Sequence, residues 1–202
     1  MKNLLSLYQS QKEKLNNFFG IKSKIISEND QIKVLEWLKE EYNEILYFNV
    51  VYTKGDNNDI SYFHQKCDGI GPNLIICKSI SQEIFGGFTP FDWKQNGEKY
   101  DKKAFIFSLT KNIKYRNKTT YKSNYICKEA GPDFHWDFVF NCGSMLKCRS
   151  FLLKDKDKHG INTGDSCYLV NEPLFGDGFS DTLIKEIEVF QVKKYKIVSL
   201  NE

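Results

Sequence analysis

The sequence has little proline, almost no excess charge and no long apolar run. Only four of its 202 residues are proline and no low-complexity tract occurs, so long disordered segments are not expected. The formal net charge of +3 is too small to favour a nucleic-acid partner. Because no stretch of about 18 apolar residues occurs, we expect no membrane span. The N-terminal residues lack a signal-peptide core, so we expect a cytoplasmic protein.

Motifs for catalysis, cofactors and metals are missing as well. A phosphate-binding loop needs Gly-x-x-x-x-Gly-Lys-Ser/Thr and a dinucleotide turn needs Gly-x-Gly-x-x-Gly, and neither string occurs. No two of the six cysteines form a Cys-x-x-Cys pair, and a structural zinc needs four ligands. We therefore expect no catalytic residue, no cofactor, no metal and no small-molecule substrate.

The cysteines leave one enzymatic alternative open, a thiol-dependent redox enzyme or scavenger. A reactive thiol needs a lowered pKa and exposure, whereas a reduced cysteine is more commonly a small buried hydrophobic residue. Without export the thiols should stay reduced. The six are Cys67, Cys77, Cys127, Cys142, Cys148 and Cys167.

Aromatic residues are abundant, at 15% of the chain, and large rings favour β-structure. Short aromatic and β-branched runs between turn residues predict roughly nine or ten strands. Because helices do not alternate with strands, the pattern favours an α+β fold, a two-sheet, mostly antiparallel β-sandwich flanked by a few helices. The predicted helices cover 1–20, 27–42 and 60–68, and the predicted strands cover 45–52, 73–79, 83–88, 103–110, 113–116, 122–127, 136–140, 149–153, 167–170 and 183–192.

Two glycine-rich turns lie between residues 64 and 93. The first follows a predicted helix and precedes a strand, the reverse of the order that anion binding at a helix N-terminus requires. We expect Gly69 to end the helix in a left-handed conformation. Gly86 and Gly87 fall inside a strand pattern, where glycine marks a bulge or a ring lying flat on the backbone. The expected rings are those of Phe85, Phe88, Phe91 and Trp93.

Basic residues with interleaved tyrosines occupy 111–128, without any acidic residue. Such a patch can bind single-stranded nucleic acid, an anionic surface or an acidic protein. The alternative is an exposed hairpin whose lysines protect an edge strand from aggregation. The candidate patch residues are Lys111, Lys114, Arg116, Lys118, Lys122 and Lys128.

Two glutamates alternate with apolar residues in the last predicted strand. Glu186 and Glu188 lie two residues apart, so they share one face of that strand. A carboxylate pair of this kind can perform acid–base chemistry around a water. The alternative, which we prefer, is that both lie on the solvent side of a half-buried strand.

Six ordered segments together resemble the TLDc domain family. IISENDQIKVLEWL resembles its opening helix and EILYFNVVYTKGDN its first strand and turn. FHQKCDGIGPNLIICKS and IFGGFTPFDW carry Cys-Asp-x-x-Gly-Pro and Phe-Gly-Gly-aromatic-Thr…Trp patterns, and KAFIFSL and IKEIEVFQV resemble later strands. The signature residues, expected to be structural, are Cys67, Asp68, Gly71, Pro72, Phe85, Gly86, Gly87, Thr89, Trp93 and Glu188.

The resemblance implies a two-sheet β-sandwich and protection against oxidative stress. In several relatives the implied partner is the vacuolar proton-pumping ATPase, whose assembly or activity the domain regulates. No agreed catalytic residue belongs to the family, so the resemblance implies a protein-interaction module. We expect an N-terminal helical extension at 1–26, a TLDc-like domain at 27–193 and a C-terminal tail at 194–202.

Overall fold

The structure is a computed structural model that describes most of the chain between residues 20 and 195. The described residues are 20–54, 59–94, 97–117, 124–126, 131–134, 138–140, 147–149, 174–176 and 181–195. The predicted helix at 1–20, apart from Gly20, and the predicted strand at 167–170 lie outside them.

Helix α1, Glu28–Lys39, begins where the sequence predicts. The side chain of Ser27 caps it by accepting a hydrogen bond from the amide of Asp30 at 3.2 Å. Ile32 is 50% exposed, whereas Leu38 is fully buried. The side of α1 that bears Leu38 therefore faces the sheet.

Helix α2, Ile60–Cys67, is short and begins at the predicted residue. The carboxylate of Asp59 accepts a hydrogen bond from the amide of Ser61 at 3.1 Å. Its buried side chains, Phe63 among them, lie on the opposite side of the sheet from α1.

All strand pairings among the described residues are antiparallel, which confirms the α+β prediction. An eight-stranded sheet runs in the order β6-β5-β3-β2-β10-β9-β8, with β1 also paired to β10, and β4 pairs with β7 in a separate two-stranded sheet. The strands are β1 Ile45–Thr53, β2 Asn73–Ser79, β3 Ile84–Thr89, β4 Gly97–Lys99, β5 Phe105–Ser108, β6 Ile113–Arg116, β7 Asn124–Ile126, β8 Val139–Phe140, β9 Lys147–Arg149 and β10 Thr182–Tyr195.

Strand β10 holds the sheet together. It has 14 residues and pairs with β2, with β1 and, at its N-terminal end, with β9. A long strand can exchange one partner for another along its length. β10 therefore connects the central strands to the β8–β9 pair.

Two hydrophobic cores lie on opposite faces of the central strands. On β2, Leu74 and Ile76 point to one core and Ile75 and Cys77 to the other, because side chains alternate along a strand. The α1-side core includes Val34, Leu38, Leu74, Ile76, Phe88, Phe105, Phe107, Phe190 and Val192. The α2-side core includes Phe63, Ile75, Cys77, Phe85, Phe134, Phe138, Phe140, Cys148, Phe175, Ile187 and Val189.

Residues from β8, β9 and the nearby loops cover the α2-side core. Phe140 and Cys148 come from β8 and β9 and are fully buried there. This layer packed on the central strands gives the sandwich-like arrangement that the sequence predicts. Within the described part of the chain, the helices are too short or too polar to traverse a bilayer.

Candidate functional site

The first glycine-rich turn ends α2. Gly69 has a φ of 72°, a left-handed conformation that glycine adopts without the steric cost borne by other residues. It follows the last helical residue, Cys67, by two positions. The expected helix stop at Gly69 is thus confirmed.

The rest of this turn is packed against the protein's own backbone. A methyl group added to Gly71 would lie 2.8 Å from the carbonyl oxygen of Phe91. The side-chain amide of Asn73 donates to the same oxygen at 2.9 Å, and the carbonyl of Pro72 accepts from the amide of Val192 at 2.8 Å. Backbone and amide groups occupy the space that a phosphate would need. We therefore interpret this turn as one that sets the path of the backbone and not as a phosphate-binding site.

The second glycine pair lets atoms of neighbouring residues lie directly against β3. A methyl group at Gly86 would clash with the carbonyl oxygen of Ile75 and lie 2.7 Å from the ring of Phe107. One at Gly87 would lie 2.5 Å from the ring of Phe134. Rings do lie against these glycines, as predicted, but they are not the four rings that the sequence pattern nominated.

Three other signature side chains lie in the α2-side core. Cys67, Phe85 and Trp93 are 2% exposed or less. The indole ring of Trp93 packs against Phe63 and Phe134, with ring centroids 6.2 and 6.0 Å apart. These side chains fill the space between the sheet and α2 and are not accessible to a partner.

The remaining polar signature residues near the turns make local hydrogen bonds. A carboxylate oxygen of Asp68 lies 2.7 Å from Nδ1 of His64, one helical turn earlier. The hydroxyl of Thr89 accepts a hydrogen bond from the amide of Phe91 at 3.2 Å. The two contacts hold the backbone in place at the C-terminal ends of α2 and β3.

Glu188 occupies a different environment from the one predicted. It is 5% exposed, so its assignment to the solvent side of β10 is wrong. Its carboxylate accepts hydrogen bonds from the hydroxyl of Ser23 at 2.5 Å and from the amide of Lys24 at 3.0 Å. Glu186, two residues earlier on β10, has a side chain that is 39% exposed. The two glutamates therefore do not form an acid–base pair.

Lys114, a member of the predicted basic patch, is a buried cation. Its side chain is 7% exposed, and its ammonium group lies 3.0 Å from Glu40 and 3.1 Å from Glu41. It also donates to the carbonyl oxygen of Trp37 at 3.0 Å, in the last turn of α1. A cation there complements the negative end of the helix dipole. Lys114 thus fastens α1 to β6.

Arg116 joins the same cluster and is half exposed. Its guanidinium contacts the carboxylate of Glu40 and lies 3.2 Å from that of Glu41. The amide of Lys111 donates to the hydroxyl of Ser108. The other three patch residues, Lys118, Lys122 and Lys128, lie outside the described residues. Two of the six predicted cations, Lys114 and Arg116, are therefore already paired with the carboxylates of Glu40 and Glu41, which directly follow α1.

The described thiols are poorly suited to nucleophilic chemistry. Cys67, Cys77 and Cys148 are fully buried. Burial raises the pKa of Cys67 to about 12 and raises the pKa of Cys77 well above its ordinary value. Since the thiolate is the reactive species, neither sulfur is activated. The other three cysteines lie in parts of the chain that the structure does not describe.

The described residues offer no group of three or more histidine, cysteine, aspartate or glutamate side chains placed to hold a metal ion.

Large apolar side chains do reach the solvent at several places. Two of them are neighbours: the amide of Ile80 donates to the carbonyl of Leu183 at 2.9 Å, and their exposed fractions are 58% and 44%.

Sequence reasoning missed Ser23, the internal role of Lys114 and the ring of Phe134. Each acts through a partner distant in sequence, so no local pattern marks it. One sequence signal could have helped with Lys114. It is adjacent to Tyr115 in a short predicted strand, so the two side chains must point to opposite faces of that strand.

Comparison with known proteins gives one family match and two related proteins. The family model described as the TLDc domain matches residues 19–193. TBC1 domain family member 24 from Xenopus tropicalis is 28% identical over 88 residues, which are 43% of this chain and 16% of that protein. The protein of the same name from Xenopus laevis is 25% identical over 84 residues, 42% of this chain and 15% of that protein. The chain thus matches only a small part of these curated relatives.

Proposed function

The chain belongs to the TLDc family, and we propose that it is a non-enzymatic protein-interaction module that binds a larger assembly through its outer surface. The family match over residues 19–193 carries this proposal. The signature side chains support it, because those described are used for packing or for hydrogen bonds within the domain. Burial of Cys67 and Cys77, which raises their pKa values, supports it further.

We further propose that the assembly is the vacuolar proton-pumping ATPase. Resemblance to the TLDc family implies protection against oxidative stress and, for several relatives, regulation of the assembly or activity of this pump, and the proposal extends both roles to this chain.

Affinity purification tests the choice of partner. The folded, tagged chain is used to capture proteins from a lysate, and pump subunits are sought by mass spectrometry. A matched control is the tagged Gly86→Ala variant, whose fold the added methyl group should disrupt. Recovery of pump subunits by the wild type alone supports the proposal. Their repeated absence rejects the pump as partner, whatever other proteins are recovered.

A further inference from the structure

The segment 20–26 meets a buried carboxylate of the sheet. Glu188 of β10 is 5% exposed, and its two oxygens accept hydrogen bonds from the hydroxyl of Ser23 at 2.5 Å and from the amide of Lys24 at 3.0 Å. The hydroxyl of Ser23 also accepts a hydrogen bond from the amide of Ile25 at 3.1 Å. One oxygen atom, Oγ of Ser23, therefore joins this segment both to β10 and to itself.

Among the described residues, no cation neutralises that carboxylate. The residues opposite Glu188 are Ile76 on β2 and Thr53 on β1, and neither carries a charge. The ion pairs formed within the described ranges use other carboxylates. A buried carboxylate accepts hydrogen bonds but opposes a second negative charge beside it, because the protein interior screens charge poorly. The contact is therefore sensitive to any negative charge added to Ser23.

Ser23 can nevertheless be reached from outside. Its side chain is half-buried and lies in an irregular stretch between the exposed residues Lys22 and Lys24. Protein kinases select serines in part by the charges around them, and flanking lysines suit a kinase with an acidic substrate groove. Because Ile21 and Ile25 are buried, such an enzyme meets Ser23 when the segment has opened locally.

We propose that Ser23 is a phosphorylation site and that the phosphate keeps the segment 20–26 off the sheet. A kinase transfers the γ-phosphoryl group of a nucleoside triphosphate to Oγ of Ser23. The Oγ–P bond forms, the bond from the γ-phosphorus to the bridging oxygen breaks, and a nucleoside diphosphate and the hydroxyl proton leave. The phosphate carries about −1.5 to −2 charges at neutral pH, so it repels Glu188 where the hydroxyl had donated to it.

Opening of this segment changes the surface of the domain. The side chains of Ile21, Ile25 and Ile26 leave the α1-side core, and Leu74 and Phe190 of the same core lose part of their cover. Phosphorylation thus exposes apolar groups that the closed segment buries. Opening is measured on the chain alone, so its test is independent of whether the vacuolar proton-pumping ATPase is the partner.

Hydrogen exchange of the full chain, followed by NMR, tests the release. The amide of Lys24 reports closure, because it donates to Glu188. Ser23→Glu places a negative charge beside the buried carboxylate and should raise the exchange rate of this amide at least about tenfold. Amides of β2 serve as the internal reference for the folded sheet and should exchange as in the wild type.

Three further variants separate charge from other effects. Ser23→Ala removes one hydrogen bond without adding charge, so it should raise the exchange of Lys24 less than Ser23→Glu does. Combining Ser23→Glu with Glu188→Gln removes the repulsion and should bring the rate back towards that of Ser23→Ala. Ser81→Glu is the matched control, because the hydroxyl of Ser81 also donates to a carboxylate, that of Glu83 at 3.0 Å, but in an exposed turn. It should leave the rate at Lys24 unchanged.

Mass mapping of the chain recovered from the cells that produce it, with phosphatase inhibitors present, tests the modification. A protease that cleaves after glutamate gives residues 14–28 as one fragment, and its fragmentation distinguishes Ser23 from Ser27. Phosphate on Ser23, together with fast exchange in Ser23→Glu that Glu188→Gln reverses, supports the proposal.

Four results overturn it. The first is a chain that carries no phosphate on Ser23. The second is exchange of Lys24 in Ser23→Glu that is no faster than in Ser23→Ala, and the third is fast exchange that Glu188→Gln does not slow. The fourth is exchange in β2 that rises as much as exchange at Lys24, which means that the whole domain has unfolded.

Discussion

At the scale of single residues, the glycines of β3 leave room for atoms that pack directly against the strand. Gly86 lies under the backbone of β2, and Gly87 lies under the ring of Phe134. A backbone atom cannot rotate away from an added methyl group as a side chain can. The signature glycines therefore act by being small, whereas Gly69 acts by its left-handed conformation.

Replacing Gly86 with alanine should be costly. The new methyl group meets the carbonyl oxygen of Ile75, so the free energy of unfolding should fall by about 3 kcal/mol or the chain should fail to fold. Gly69→Ala is the control: nothing lies within 4 Å of the added methyl group, and only the positive φ opposes it, at about 1 kcal/mol. Urea unfolding compares the two. An equal or smaller loss for Gly86→Ala would contradict the packing role.

Charge pairing at the end of α1 makes part of the stability depend on pH. The hydrogen bond from Lys114 holds the pKa of Glu40 below its ordinary value of 4.5, and the charges of Lys114 and Arg116 act in the same direction. The unfolded chain then binds the proton more readily than the folded one. The contribution of Glu40 is therefore fully present above pH 4.5 and is lost as the pH falls through the lower, folded-state pKa.

Glu40→Gln should remove this dependence. The side chain of Glu40 is 45% exposed, so its advantage at neutral pH should be about 0.5 kcal/mol. The difference between wild type and variant should shrink as the pH is lowered from about 7 to about 3, as measured by urea unfolding at each pH. Glu36→Gln, on an exposed residue of the same helix, controls for the loss of one carboxylate. A difference that stays constant or grows in acid would exclude the mechanism.

At the scale of elements, the segment 20–26 packs on the α1 side of the sheet. Ile21, Ile25 and Ile26 are buried in the α1-side core. The carboxylate of Glu188 anchors the polar residue between them, Ser23, which also accepts a hydrogen bond from the amide of Ile25 at 3.1 Å. The segment is thereby joined to the last strand of the fold.

A double-mutant cycle on Ser23 and Glu188 should reveal this anchor. Ser23→Ala and Glu188→Ala each break the same contact, so their losses of unfolding free energy should be non-additive by about 1–2 kcal/mol. Pairing Ser23→Ala with Glu186→Ala supplies the control, because Glu186 has no contact with Ser23, and there the losses should add. Additivity in the first cycle would show that the contact stabilises nothing.

Most of the elements could be predicted from periodicity and turn residues. β2 was predicted with its observed bounds, and the α+β class followed from the order of the elements. β4, Gly97–Lys99, was not predicted, because three residues are too few to show an alternation. The prediction that Glu188 points to solvent was wrong for a physical reason. Both faces of β10 are buried, so the alternation of its residues does not distinguish a core face from a solvent face.

The site could be predicted less well than the fold. Residue types and spacing predicted the helix end at Gly69 and the close approach of a ring at Gly87. Both features depend on the local backbone, which only glycine allows to adopt that conformation or to be approached so closely. The ring on Gly87 belongs to Phe134, and the lysine that closes α1 is Lys114 of β6. Contacts of this kind join residues that are far apart in the sequence, and a single sequence does not show which distant residues are in contact.

At the scale of the whole molecule, the three described thiols all lie in the α2-side core. Cys67, Cys77 and Cys148 are fully buried, so they should resist maleimide labelling in the folded protein and react once urea unfolds it. Mass mapping of the labelled peptides measures each site. Rapid modification of any of these three in the native state would contradict the arrangement of the α2-side core.

The same reagent allows the function itself to be tested in one binding measurement. Purified chain, untreated or first treated while folded with N-ethylmaleimide, is titrated onto purified vacuolar proton-pumping ATPase, and the bound fraction is recorded. If the chain works through its outer surface, saturable binding should appear with the same affinity in both preparations. No binding by the folded chain, or binding abolished by thiol modification, would contradict the proposal of a non-enzymatic module that acts on the pump.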